Sequence, residues 1–81
     1  MEMIKMKKPY RTKDLFESAF LYASGKRLAS VENDGKKCYF IFDNFISCKE
    51  LADCFWRKEA LVNAKEFADA FRTLKDIIFN K

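Results

Sequence analysis

The stretch that decides the fold runs Arg27-Leu28-Ala29-Ser30-Val31-Glu32, then Asn33-Asp34-Gly35-Lys36, then Lys37-Cys38-Tyr39-Phe40-Ile41-Phe42. Asn, Asp and Gly tolerate positive φ, so Asn33-Asp34-Gly35 between two strand-forming runs predicts a β-hairpin. Its second strand, Cys38 to Phe42, is apolar at every position. A strand with one face in water alternates, so this one is expected to be covered on both faces. A two-stranded ribbon is not stable alone, so helices, and a second copy of the chain, are expected to cover it. The same aromatic residues could instead stack on bases, but a run this apolar is costly to leave in water, and core packing is the preferred reading.

Upstream, Leu15, Phe16, Ala19, Phe20, Tyr22 and Ala23 recur at helical spacing. Thr12 is read as the N-cap of a helix over 13–24, with Asp14 and Glu17 near its positive end and Gly25 as its left-handed stop. Downstream, Ile46-Ser47-Cys48-Lys49-Glu50-Leu51 and Val62-Asn63-Ala64-Lys65-Glu66-Phe67 repeat one pattern. In each, a capping residue precedes a Glu by three positions and an apolar pair brackets the cap, as in a capping box with a hydrophobic staple. Helices are therefore expected from Cys48 to Lys58 and from Ala64 to Phe79. The expected fold is α+β in the order helix–β-hairpin–helix–helix, the helices packed on a two-stranded antiparallel ribbon and the sheet completed by homodimerisation.

Eighty-one residues allow one small domain. Apolar residues make up 49%, aromatics 16%, with nine Phe, enough for a core and against disorder. The net charge of +4 is concentrated: residues 1–13 hold Lys5, Lys7, Lys8, Arg11 and Lys13 against Glu2, while 14–81 balance. Residues 1–11 are thus read as a basic arm and 12–81 as the domain. The arm either solubilises the chain or finds an anionic partner. Lys26-Arg27 and Lys36-Lys37 form a second basic set that the hairpin is expected to bring side by side.

The chemistry of most enzymes is missing. There is no His, which removes the commonest base, metal ligand and nucleophile partner. Cys38, Cys48 and Cys54 lack the paired spacing of a zinc site and are read as reduced, buried thiols. Gly25 and Gly35 are the two glycines, too few for a phosphate loop. No catalytic residue, metal or cofactor is expected, and the chain is read as non-enzymatic. No run approaches a membrane span, and the basic start leads into Pro9 and not an apolar segment, so a cytoplasmic setting is expected.

Several phrases resemble a known family: Tyr10-Arg11-Thr12-Lys13-Asp14-Leu15-Phe16, Cys38 to Phe42, Phe55-Trp56, Glu59-Ala60-Leu61-Val62-Asn63-Ala64-Lys65 and Arg72-Thr73-Leu74-Lys75-Asp76. The chain is similar, over about residues 8–79, to a family of short domains of unknown function found on bacterial, archaeal and phage chains. The resemblance implies a bacterial or mobile-element setting and transfers no functional residue.

Two functions follow as expectations. In the first, Lys5, Lys7, Lys8, Arg11, Lys13, Lys26, Arg27, Lys36 and Lys37 neutralise the phosphate backbone of DNA or RNA with little base specificity. In the second, Trp56, with Arg57 and Lys58, anchors a host or phage protein. Trp56 itself either closes the core against the loop 59–62 or stands exposed.

Overall fold

The first element among the described residues is a strand, two of whose three residues, Tyr10 and Arg11, the sequence reading places in the arm. The computed structural model describes residues 8–79, in the order β1 (Tyr10–Thr12), α1 (Leu15–Ala23), β2 (Leu28–Asn33), β3 (Cys38–Phe42), α2 (Phe45–Trp56) and α3 (Ala64–Phe79). The sheet has three antiparallel strands in the order β1-β3-β2. The architecture is α+β, but the expected two-stranded ribbon is corrected: a strand precedes the first helix and pairs with β3 on the side away from β2. The edge of β3 that the two-stranded ribbon would leave unpaired is taken by Tyr10–Thr12 of the same chain.

The apolar run of β3 is covered on both faces, with Phe40 and Phe42 against the helices and, on the other side, Tyr39 beneath the Arg11 guanidinium and Ile41 only 8% exposed. On the inner face Tyr10, Phe42 and Leu28 align across the sheet, as do Thr12, Phe40 and Val31. Phe40 and Phe42 are fully buried against Ala19, Leu21, Cys48, Ala70 and Leu74 of the helices. On the outer face Arg11 and Ser30 flank Ile41, and Arg11 reaches over β3 to Glu32 at 3.2 Å. Its guanidinium lies 3.7 Å from the centre of the Tyr39 ring. The pairing of β2 slips by one residue between Leu28 and Ser30, a bulge that puts Ala29 out of register.

The helices form a layer with α1 in the middle. Five consecutive residues, Glu17 to Leu21, are buried, more than a single helix face can supply. α1 packs on both α2 and α3, while those two barely meet. Ser18, among these buried residues, satisfies its hydroxyl by donating to the Asp14 carbonyl at 2.8 Å.

Helix ends follow the capping chemistry, with two shifts. Thr12 is held in β1, so Asp14 caps α1, its side chain accepting from the Glu17 amide at 2.8 Å. Gly25, at φ 93°, ends α1 as expected, with Gly25 N–H donating to Tyr22 O and Lys26 N–H to Leu21 O. The expected Ser47–Glu50 box is also corrected. Asn44, left-handed at φ 72°, caps α2 one turn earlier and accepts from the Ser47 amide at 3.2 Å. The Ser47 hydroxyl instead accepts from Lys26 Nζ. Asn63 caps α3 as read, accepting from the Glu66 amide at 3.0 Å.

α2 stops in the same double-bonded way as α1, with Lys58 N–H on Phe55 O and Glu59 N–H on Cys54 O, yet the left-handed residue is Lys58, at φ 64°. An L side chain there costs about 1 kcal/mol that glycine avoids. Lys58→Gly is therefore expected to raise unfolding stability by about 1 kcal/mol or slightly less, read as a higher urea midpoint with unchanged slope.

Candidate functional site

The basic residues are not gathered into one surface. Lys5 and Lys7 lie outside the described residues. Lys8 projects over the Phe45 ring at 5.0 Å, and its carbonyl accepts from the Phe45 amide. Lys26 donates to Ser47, and Arg27 pairs with Asp43 at 2.7 Å, so Lys8, Lys26 and Arg27 ring the start of α2. Lys36 and Lys37 sit at the hairpin tip, where their amides donate to Asp34 and hold its carboxyl below the usual range. The hairpin thus separates the two sets that it was expected to join. Leu28 to Asn33 spans five steps, about 16 Å, because the turn lies at one end of β2 and Lys26-Arg27 at the other. Arg11 is committed to Glu32 and Tyr39, and Lys13 is exposed between β1 and α1.

A buried carboxylate stands at the junction of sheet and helices. Glu17 is 5% exposed, and each of its oxygens is taken. The Tyr10 hydroxyl donates to Oε2 at 2.7 Å, and the Trp56 indole N–H donates to Oε1 at 2.6 Å. Both donors are neutral. Burial, and then the hydrogen bond to Glu17, push the Tyr10 phenol above its ordinary value. The reading that Trp56 closes the core against 59–62 is corrected: its polar edge goes to α1, and 59% of the residue is exposed. Its ring meets Phe55 edge-on at 5.1 Å. Arg57 turns to Glu59 at 2.9 Å.

The outer side of the helix layer is aromatic. Phe16 and Phe20 stand one turn apart on α1, Phe67 and Phe71 one turn apart on α3. Phe16 stacks on Phe71 at 5.0 Å, and Phe20 on Phe55 at 5.6 Å. Where α2 and α3 diverge, Phe20, Phe55, Ala60, Val62 and Phe67 line a cleft of about 280 Å³ with Lys58 in its wall. Phe67 is shared with a groove of about 410 Å³ that also carries Phe16, Phe71, Arg72, Lys75 and Asp76. Phe16 is 56% exposed and Leu61, in the linker beside the cleft, 93%.

Sequence reading had marked Phe16 and Phe20 only as helical spacing and Glu17 only as a first-turn acid. The Asp14-x-x-Glu17 spacing was a signal for the helix start, but nothing local says that Glu17 turns inward. Cys48 is buried, as read, and donates to the Asp43 carbonyl at 3.3 Å, with burial raising its thiol; Cys38 and Cys54 are only half-buried. Among the described residues no three His, Cys, Asp or Glu side chains are grouped to hold a metal, and no helix is long and apolar enough to cross a membrane.

Fold and surface define a small α+β domain whose conspicuous features are a buried carboxylate knot and an aromatic groove. The chain belongs to DUF5659, a domain of unknown function, whose family model matches residues 7–80. No curated protein and no solved structure matches it.

Two outcomes test the knot. Glu17→Ala leaves two donors without an acceptor and is expected to cost about 2–3 kcal/mol, whereas Glu17→Gln, which keeps one acceptor, costs about half as much, both read by urea unfolding followed through Trp56 fluorescence. Because the folded chain holds the Tyr10 proton more tightly than the unfolded chain does, its contribution is complete below about pH 10 and is lost as pH rises further. Tyr10→Phe should accordingly show a shallower fall in stability above pH 10; an identical slope would count against the bond.

Proposed function

We propose that the domain is a non-catalytic protein-interaction module that docks on a partner through the phenylalanine-lined surface of its helix layer. The observation that carries this reading is the pair of adjoining depressions bounded by Phe16, Phe20, Phe55, Phe67 and Phe71, with Phe16 over half exposed. Exposed apolar concavities rimmed by polar residues are characteristic of interaction sites, and aromatic side chains dominate the energy of such contacts. Trp56, read as the docking anchor, is 59% exposed but lines neither depression, and its indole N–H is held by Glu17. Lys58 remains in the surface, and Arg57 is held by Glu59.

Phosphate binding is the second reading, favoured by Lys8, Lys26 and Arg27 around the start of α2. It weighs less because Lys26, Arg27 and Arg11 already have partners within the chain and the hairpin-tip lysines lie at the opposite end of the sheet.

A photo-crosslinking amino acid at Phe16 or Leu61, in the full chain in the cells that make it, is expected to capture one discrete protein. The same group at Ala29, exposed at the bulge in β2, should capture none. Capture of nucleic acid, or equal capture from Ala29, would overturn the reading. Binding to labelled oligonucleotides that is micromolar at about 50 mM salt, and lost at about 200 mM, would shift the assignment to the second reading.

A further inference from the structure

The phenyl rings that line the two depressions repeat with the rise of a helix. Phe16 and Phe20 on α1, and Phe71 and Phe67 on α3, are each four residues apart, so the walls they make are one turn apart, about 5–6 Å. The stacking of Phe16 on Phe71, with Phe20 and Phe67 together in the cleft, shows that α1 and α3 run antiparallel along this seam. A partner helix laid along it places apolar residues at i and i+4, one in each depression. An extended strand does not match, because its same-face residues repeat at about 6.6 Å and its backbone would bring unpaired amides and carbonyls onto a wall of phenyl rings.

The charges of the lining choose the sign of that helix. Lys58 stands in the cleft, and Arg72 and Lys75 in the groove, against the single acid Asp76. Arg72 is shared with Asp69 at 3.3 Å. Among the described residues, Lys58 and Lys75 have no ion-pair partner, and Lys75 lies 5.7 Å from the centre of the Phe71 ring. Each depression of the aromatic surface thus carries a lysine without an ion pair among the described residues, and Lys58, Arg72 and Lys75 outnumber the one acid, Asp76, in the lining. A second copy of this chain docked face to face would set these lysines against one another, which disfavours self-association here.

Resting on the protein-interaction reading, we infer that the occupant is an acidic amphipathic helix, with two large apolar residues four apart entering the depressions and Asp or Glu beside them meeting Lys58 and Lys75. The apolar anchors supply the affinity and the acids the choice of partner and the speed of encounter.

The probe is a labelled helix-forming peptide of about fifteen residues with leucines at i and i+4 and glutamates along the flanks, compared with the same peptide carrying lysines in place of glutamates. Anisotropy titration of the full chain is expected to show the acidic peptide binding about tenfold or more tighter than the basic one, with a preference that shrinks as salt rises. Lys58→Gly combined with Lys75→Gln should remove that preference, and Phe16→Ser should weaken both peptides. Lys58→Gly is expected to stabilise the fold, so a loss of binding in it cannot come from unfolding. Equal binding of the two peptides, a preference for the basic one, or no binding of either would overturn the inference. If protein crosslinks from Phe16 persist in that case, the interaction reading stands and only the acidic helix falls; if they too are absent, both fall. Sedimentation of the chain alone as a dimer that Phe16→Ser dissociates would assign the groove to a second copy and overturn the acidic helix.

Discussion

The carboxylate of Glu17 ties together parts of the chain that no local signal connects. It lies on α1, accepts from Tyr10 on β1 and from Trp56 at the end of α2, and so holds the opening strand, the central helix and the second helix at one point. Around a side chain as buried as Glu17 the low local dielectric strengthens a hydrogen bond relative to one in water. The arrangement also restricts what can replace it. Two neutral donors converge on a buried acid, so removing either one leaves an oxygen of the buried Glu17 carboxyl with nothing to pair with.

From that point the sheet follows. A strand of three residues has little stability of its own, and β1 keeps its place because its two ends and both its faces are engaged. Tyr10 reaches inward to Glu17, Arg11 reaches outward over Tyr39 to Glu32, the Lys8 carbonyl takes the amide of Phe45, and Thr12 accepts from the amide of Asp14. With β1 present, both edges of β3 are paired, and Arg11, carried by β1, lays its guanidinium over Tyr39 on the outer face.

This is also where the sequence could be read and where it could not. The hairpin was legible because Asn33-Asp34-Gly35 act through backbone preference alone, and α3 because the cap at Asn63 and the spacing of Phe67, Phe71, Leu74 and Ile78 are local. The third strand was not legible, since Tyr10-Arg11-Thr12 is too short to show a strand period and its lysine-rich surroundings suggest a tail. Ser47 was legible as a cap, but Asn44 takes that place and the Ser47 hydroxyl is engaged by Lys26, a contact that joins distant parts of the chain. Of the aromatic groove, each Phe was visible singly at helical spacing. That α1 would be flanked by two helices with a phenylalanine-lined cleft between them depends on how three helices share one small sheet and has no signature in any one segment.

Lys58 brings the energetics and the surface together. Glycine is the residue that a left-handed helix stop favours, and the chain uses it at Gly25 to end α1. At the end of α2 the same hydrogen-bond pattern is closed by a lysine, at a conformational cost and with no compensating ion pair among the described residues. The side chain stands in the wall of an otherwise apolar cleft. Strain kept at one residue, when a less strained alternative is a single substitution away, is informative about that residue's side chain. In this fold it points to the ammonium group, which confers on the aromatic surface a charge that packing alone does not call for.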